Sequence, residues 1–70
     1  MRGTLKQWRM FNGMTQEQLA KATKRSVLTV INWEKGVSEP NASDIATIEK
    51  VLGVNWSNDV IWVRKGLPKK

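Results

Sequence analysis

The sequence contains no cysteine and no histidine. The first absence excludes disulfide bonds and cysteine-based zinc sites, and the second removes the commonest general base and metal ligand. The six carboxylates are scattered and form no pattern of metal ligands or acid–base pairs: Glu17, Glu34, Glu39, Asp44, Glu49 and Asp59. We therefore expect a protein that is not an enzyme and uses no cofactor, metal ion or small-molecule substrate.

Long apolar segments are also absent. No run approaches the roughly 20 apolar residues that span a bilayer, and the first residues, MRGTLKQW, lack the apolar centre of a secretory signal. We expect no membrane association and a cytoplasmic location. With 70 residues the chain is expected to form one domain with a small core.

Basic residues are in excess, giving a net charge of +6. Residues 1–35 carry seven basic and two acidic side chains, residues 36–55 are mildly acidic, and residues 64–70 carry four more basic side chains. A small basic domain is typical of proteins that bind nucleic acid or another anionic surface. A charged surface that only maintains solubility is the alternative explanation.

Helix signals recur along the chain. Capping-box patterns begin at Thr4 and Thr15, and further candidate N-caps are Ser26, Asn41 and Ser57. Glycines follow the helical patterns at positions 13, 36, 53 and 66, where a left-handed C-terminal residue is common. These signals predict five helices, at about 4–12, 15–22, 26–35, 41–52 and 57–64. No segment alternates with a period of two, so we expect no sheet.

Apolar side chains on the predicted helices define a candidate core. It comprises Leu5, Trp8, Leu19, Val30, Trp33, Ile48 and Leu52. Met10 and Phe11 fit this core less well, and we expect at least one of them to be partly exposed. The fifth helix offers Val60, Ile61 and either Trp62 or Val63. Residues 1–66 are predicted to form the domain and residues 67–70 a flexible basic tail.

Residues 15–36, TQEQLAKATKRSVLTVINWEKG, form two predicted helices joined by a short turn. Only Thr23, Lys24 and Arg25 separate the first helix from the candidate cap Ser26. Such a short turn requires the helices to cross steeply, and the small side chain of Ala20 permits a close approach.

Several segments resemble the phage Cro and repressor family of bacterial transcription regulators. They are MTQEQLA at 14–20, Ser26 with Thr29 and Val30, and NWEKG at 32–36, preceded by LKQWR at 5–9 and Gly13 and followed by Pro40, Ile45, Ile48 and LGV at 52–54. They extend over most of the chain and are similar to the family in order and spacing. The resemblance implies an all-α, lambda-repressor-like DNA-binding domain of five short helices, with a helix-turn-helix at helices 2 and 3.

The resemblance also implies a function. A Cro-like bacteriophage repressor would work in the bacterial cytoplasm and insert its third helix into the major groove of a double-stranded, pseudo-palindromic operator. It would act as a homodimer, at least on DNA. The sequence leaves open the operator and whether transcription is repressed or activated.

The candidate site residues, some implied by the resemblance and others expected from their charge and position, fall into four groups. The implied base contacts are Val27, Leu28, Ile31 and Asn32. The expected phosphate contacts are Gln16, Lys24, Arg25, Lys35 and Ser38. Arg9 and Glu34 match a family ion pair, and the candidate dimer contacts are Val54, Trp56 and Trp62. An asparagine amide can pair with adenine, and apolar side chains can pack on thymine methyl groups, so we expect thymines opposite the start of the third helix.

The chain departs from the family pattern at the turn and at the following loop. Lys24 stands where the family has glycine, and a left-handed lysine carries a strain cost, so we expect a turn of altered shape. The loop at 36–40 lacks the basic residues of many relatives, leaving backbone N–H groups, Lys35 and Ser38 for phosphates. A shallow salt dependence of DNA binding is the predicted result.

A second interpretation remains open because the outward face of the third helix is apolar. Val27, Leu28 and Ile31 would form a patch of the kind that commonly marks protein interfaces. The same fold could therefore act as a protein-binding module, such as an antirepressor that binds another phage regulator, or as an antitoxin subunit.

Overall fold

Residues 2–62 are described in the computed structural model of the chain. They form five helices and two short strands: β1 (Gly3–Thr4), α1 (Leu5–Phe11), α2 (Gln16–Thr23), α3 (Val27–Lys35), α4 (Ala42–Leu52), α5 (Trp56–Asp59) and β2 (Val60–Ile61). The mainly helical architecture agrees with the prediction. The expectations for Val63, Gly66 and the tail at 67–70 lie outside the described residues.

The first four helices begin and end within one residue of their predicted bounds because the predicted caps are used. Thr4, Thr15, Ser26 and Asn41 each have extended backbones and accept a hydrogen bond from the backbone N–H three residues later. Such bonds satisfy N–H groups that have no partner inside the helix. Residues Gly13, Gly36 and Gly53 have positive φ angles, as expected after a helix.

The fifth helix differs from the prediction. Its N-cap is Asn55 instead of Ser57, and it ends at Asp59. The next residues pair in parallel with β1, in the register Gly3 to Val60 and Thr4 to Ile61. The expectation of no sheet is therefore wrong at these four residues. Strands of two residues are too short to show an alternating pattern.

In the described part of the chain, nine apolar residues form the core: Leu5, Leu19, Ala20, Val30, Trp33, Ile48, Leu52, Val54 and Val60. Trp8, predicted to be buried, is half-buried and packs against this core, where its indole Nε1 donates to the carbonyl of Asp59 at 2.9 Å. Met10 and Phe11 are both exposed, at 60% and 72%.

Among residues 2–62, no helix has the length and hydropathy needed to cross a membrane.

Candidate nucleic-acid interface

A sharp turn joins α2 to α3 and sets the direction of α3 relative to α2. Lys24 ends α2 with φ 59° and ψ 38°, the left-handed conformation for which glycine is the usual residue. Next, the N–H of Arg25 donates to the carbonyl of Ala20 at 2.9 Å, which closes the end of the helix. The backbone at Lys24 therefore adopts the left-handed conformation that a glycine would adopt at this position. Because a lysine stands there instead of the family's glycine, the backbone is strained at this one residue.

The inner side of the turn is buried in spite of its polar sequence. Thr23 is buried, and its hydroxyl donates to the carbonyls of Leu19 and Ala20 at 2.9 and 3.1 Å. Because the hydroxyl is satisfied within its own helix, Thr23 can pack inward at little cost. The small, buried Ala20 lies on the same helix, as the steep crossing requires.

Arg9, Glu34 and Gln16 form a hydrogen-bonded network between three helices. Arg9 Nε lies 2.6 Å from Glu34 Oε2, and Arg9 Nη1 donates to the carbonyl of Met14 at 2.7 Å. Gln16 Nε2 donates to the other oxygen, Glu34 Oε1, at 3.0 Å. Arg9 is only 8% exposed, although in the sequence it looks like a surface charge. Glu34 therefore fixes both the angle between α1 and α3 and the side chain of Gln16.

Gln16 is the first residue of α2, at a helix end that attracts anions. The capping box uses the N–H groups of Thr15 and Gln18. Backbone N–H groups in the first turn of a helix and the helix dipole together favour a bound anion. The Gln16 amide nitrogen carries two hydrogens, and Glu34 accepts one of them, so the second can reach a phosphate from a fixed position.

Arg25 is engaged within the domain. Its Nε and Nη2 donate to the two carboxylate oxygens of Asp44 at 2.9 and 3.1 Å. The hydrogen bond and charge of Asp44 raise the pKa of Arg25 above its ordinary value. Asp44 also accepts from the N–H of Asn41 in the capping box of α4. The pair anchors the turn to α4, while Nη1 takes no part in it and the side chain is 41% exposed, so the phosphate contact expected of Arg25 stays a prediction.

The outward face of α3 combines exposed apolar and amide groups. Leu28 is 64% exposed, and Ile31 and Asn32 are half-buried. Val27 is also half-buried, but it packs against the core, so it offers less surface than expected for a base contact. Within residues 2–62 the side-chain amide of Asn32 makes no hydrogen bond, which leaves its donor and acceptor for a ligand.

The loop after α3 uses backbone N–H groups that had been expected to face phosphates. Gly36 takes a left-handed conformation, and the N–H groups of Val37 and Ser38 donate to the carbonyl of Asn32 at 2.9 and 3.4 Å. These groups complete the end of the helix, so they are not free for an anion. The side chains of Lys35 and Ser38 remain exposed, as does Lys24 at the other end of α3.

The helix-turn-helix family profile matches residues 5–57. The chain belongs to the helix-turn-helix family. The Cro and repressor type is the one predicted from the sequence. Over 38 residues the chain is 47% identical to the HTH-type transcriptional regulator DicA of Escherichia coli strain K12. This alignment covers 54% of the chain and 28% of DicA, and no solved structure matches.

Two of the three candidate dimer contacts of this helix-turn-helix domain are partly accessible. Trp56 and Trp62 are half-buried, with ring centroids 5.5 Å apart, and both pack against the core. The indole nitrogen of Trp62 is buried and has no hydrogen-bond partner in the described part of the chain. Val54 is only 8% exposed and belongs to the core, so it cannot contribute appreciable area to a partner.

Two side-chain contacts of the helix-turn-helix were not predicted from the sequence: the pair of Arg25 with Asp44 and the bond from Gln16 to Glu34. Asp44 has a local signal, since it completes an Asn41–Asp44 capping box, but nothing local connects it to Arg25. The bond from Gln16 to Glu34 joins residues 18 apart, and no periodic pattern predicts it. Both depend on how the helices pack.

Proposed function

We propose that this domain binds operator DNA in a sequence-specific manner and regulates transcription, with α3 in the major groove. The observation that carries the proposal is the outward face of α3, where Leu28 is exposed and the Asn32 amide is unengaged. A helix of this kind, held by a short turn and a preceding helix, is the reading element of helix-turn-helix proteins. Membership of the helix-turn-helix family and the name of the relative, a transcriptional regulator, support it.

Side chains around the face have separate roles in this proposal. Gln16, Lys24, Lys35 and Ser38 contact phosphates and set the register of α3 on the duplex. Asn32 pairs with an adenine, and Leu28 and Ile31 pack on the neighbouring base edges. Phosphate contacts position a protein without reading sequence, whereas base contacts discriminate, by about 1–3 kcal/mol for a bidentate pair.

The proposed regulator acts as a homodimer on a pseudo-palindromic operator, as a Cro-type repressor does. Two copies would present α3 to half-sites about 34–36 Å apart, one turn of the duplex. The accessible parts of Trp56 and Trp62 are the proposed contact between copies, and the buried Val54 is not part of it. Tryptophan side chains supply much of the binding energy at many interfaces.

Selection from a random duplex library, followed by affinity measurements over a salt series, tests the proposal. We expect a preferred sequence with two related half-sites and an affinity that falls with salt. Asn32→Ala should relax the preference at one base pair, and Gln16→Ala should weaken all duplexes alike. Asn58→Ala, on the exposed surface of α5, is the matched control and should bind as the unmodified chain does.

Binding to another protein is the second candidate function, and one observation favours it. Leu28 is 64% exposed and Ile31, one turn further along α3, is partly exposed, and exposed apolar patches commonly mark protein interfaces. In this case the proposed antirepressor would bind another regulator through α3. If the selection yields no preferred duplex and Leu28→Asp abolishes capture of a purified partner regulator, the first proposal is wrong and the second holds.

A further inference from the structure

We infer that a cavity beside α1 binds a small aromatic carboxylate. Five residues line it: Arg2, Gly3, Gln7, Trp8 and Phe11. Its volume is about 260 Å³, the space of roughly nine liquid water molecules, which admits a pair of fused rings. The inference goes beyond the proposed function and does not rest on it, because none of these residues belongs to the helix-turn-helix.

The cavity lies on the outer side of α1. Leu5 and Arg9, one turn apart, are buried, and Arg9 contacts α3 through Glu34. Gln7 and Phe11 are also one turn apart, and both are exposed. Because residues four positions apart share a helix face, the cavity opens on the side of α1 opposite its contact with α3.

Two aromatic rings form the apolar walls of the cavity. The Trp8 and Phe11 rings meet edge to face, with centroids 5.7 Å apart and planes at 86°. A ligand ring placed in the corner between them can contact one by its face and the other by its edge, geometries that aromatic rings favour. Gly3 keeps this space open, since a Cβ there would lie 3.1 Å from Gln7 Oε1 and 3.6 Å from Trp8 Nε1.

The polar groups that remain available at the cavity are hydrogen-bond donors. Gln7 Oε1 accepts from the N–H of Thr4 at 2.8 Å, which leaves both hydrogens of Gln7 Nε2 without an acceptor within residues 2–62. Arg2 is exposed and forms no ion pair in this part of the chain. None of the described carboxylates lines the cavity, and the Trp8 indole N–H already donates to the carbonyl of Asp59. A guanidinium can bind a carboxylate through two parallel hydrogen bonds, so the charge of the cavity favours an aromatic acid.

The size of the cavity favours a small molecule over a protein chain. Met10 is 60% exposed on the same helix and lies outside the cavity. A protein bound to the outer side of α1 would also cover Met10, because a stable interface buries about 800 Å² on each partner. A ligand of two fused rings fills the cavity without contacting Met10.

Titration with 2-naphthoate, followed by proton–nitrogen NMR of the whole chain, tests the inference. This anion has two fused rings and one carboxylate. We expect saturable shifts of the Trp8 indole and Gln7 side-chain N–H signals, with a Kd of about 1 mM, as is typical of a ligand of this size. The uncharged 2-naphthamide has the same shape and should bind about fivefold more weakly, the factor that a solvent-accessible ion pair contributes at most.

Two matched pairs of variants assign the binding to the cavity. Arg2→Gln should bind the acid and the amide with equal affinity, whereas Lys6→Gln, which makes the same change in charge outside the cavity, should retain the preference for the acid. Phe11→Ala removes a wall and should weaken the binding of 2-naphthoate about fivefold. Met10→Ala removes another exposed apolar side chain and should leave the Kd unchanged. All four side chains are exposed, so the variants should keep the fold.

Each contrary outcome overturns a stated part of the inference. Absence of saturable shifts at about 10 mM 2-naphthoate, ten times the expected Kd, would overturn the site itself. Equal binding of the acid and the amide to the unmodified chain would overturn the preference for a carboxylate, and a preference that persists in Arg2→Gln would overturn the role of Arg2. Equal losses in Met10→Ala and Phe11→Ala would show binding to the apolar surface of α1 in place of the cavity. No DNA is present in these titrations, so their failure and the failure of the proposed function are distinguishable.

Discussion

At Lys24, conformational strain and positive charge occur in the same residue. A left-handed conformation costs a non-glycine residue about 1–2 kcal/mol. The lysine side chain is exposed at the start of the segment that leads into α3, where the proposed function gives it a phosphate contact. Under the proposed function, the residue that costs stability through strain also supplies a positive charge next to a phosphate.

Replacing Lys24 with glycine should stabilise the free protein and weaken its DNA binding. Relief of the strain exceeds the conformational entropy that glycine loses on folding, so we expect a gain of about 0.5–1 kcal/mol in the free energy of unfolding. Urea denaturation measures it. Lys21→Gly, inside α2, should instead cost about 1 kcal/mol. Equal destabilisation by both changes would mean that Lys24 is not strained in solution.

The structural role of a residue could be predicted when its hydrogen-bond partner is close in sequence. It could not be predicted from local patterns when the partner is distant. The caps Thr4, Thr15, Ser26 and Asn41 bond to groups three residues away, so the sequence contains the whole interaction. Arg9 is buried by a partner 25 residues away, and its burial can be seen only after the helices are packed. The expected pairing of Arg9 with Glu34 came from family resemblance, which carries packing information that composition lacks.

At the scale of helices, Glu34 connects three elements through one carboxylate. It accepts from Arg9 on α1 and from Gln16 on α2 while lying in α3. Packing of the domain and placement of a proposed phosphate contact therefore depend on the same group. A buried pair of this kind is costly to break at one side only, because the remaining charge is left without a partner.

Arg9→Met should therefore destabilise the domain strongly, by about 3–5 kcal/mol, and Arg9→Met with Glu34→Met should recover most of that loss. Chemical denaturation of both variants measures the difference. If the single variant does not fold, recovery of a cooperative transition in the double variant still tests the prediction.

Arg25→Met provides the comparison, because the Arg25 side chain is 41% exposed and Asp44, although only 9% exposed, keeps its hydrogen bond from the Asn41 N–H, so we expect a loss of about 1 kcal/mol. A loss as large as that of Arg9→Met would contradict the distinction between the two pairs.

The last helix shows where element prediction fails. The residues after Asp59 continue an apolar pattern, which favoured a longer helix. Val60 instead enters the core as part of a strand, and the Trp8 indole bonds to the Asp59 carbonyl at the point where the helix ends. Pairing with Gly3 and Thr4 decides the conformation, and no local signal distinguishes a two-residue strand from a helix end.

At the scale of the whole described domain, residues 2–62, ion pairs engage part of the positive charge that the proposed function would direct to DNA. The net charge is +6, but Arg9 and Arg25 are paired with carboxylates inside the domain. The backbone N–H groups of Val37 and Ser38 are also engaged. The shallow salt dependence of DNA binding expected from the sequence stays a prediction.

Removal of Lys35 should reduce the slope of log affinity against log salt by about 0.9, the value for one phosphate contact. Lys6→Ala makes the same change in net charge on the exposed surface of α1 and should leave the slope unchanged. Titrations of one duplex at several salt concentrations give both slopes. Equal slopes for the two variants would show that Lys35 acts only through net charge.

The outline of the site was predictable, and its detailed chemistry was only partly so. Caps and helical periodicity in the sequence located the two helices, and the family resemblance supplied the outward residues, Leu28 and Asn32 among them. The sequence did not reveal that Val27 packs inward or that Arg25 is held by Asp44. Both result from contacts across the fold.

The pairing of Gly3 with Val60 joins segments 57 positions apart, since 60 − 3 = 57, and so brings the two ends of the described chain together. Neighbouring strands lie about 4.8 Å apart. A designed peptide linker from residue 62 to residue 2 would therefore close the described backbone into a ring. A ring restricts the unfolded chain without altering the core. The cyclic protein should melt at a higher temperature than the linear one, with the same cooperative transition by circular dichroism.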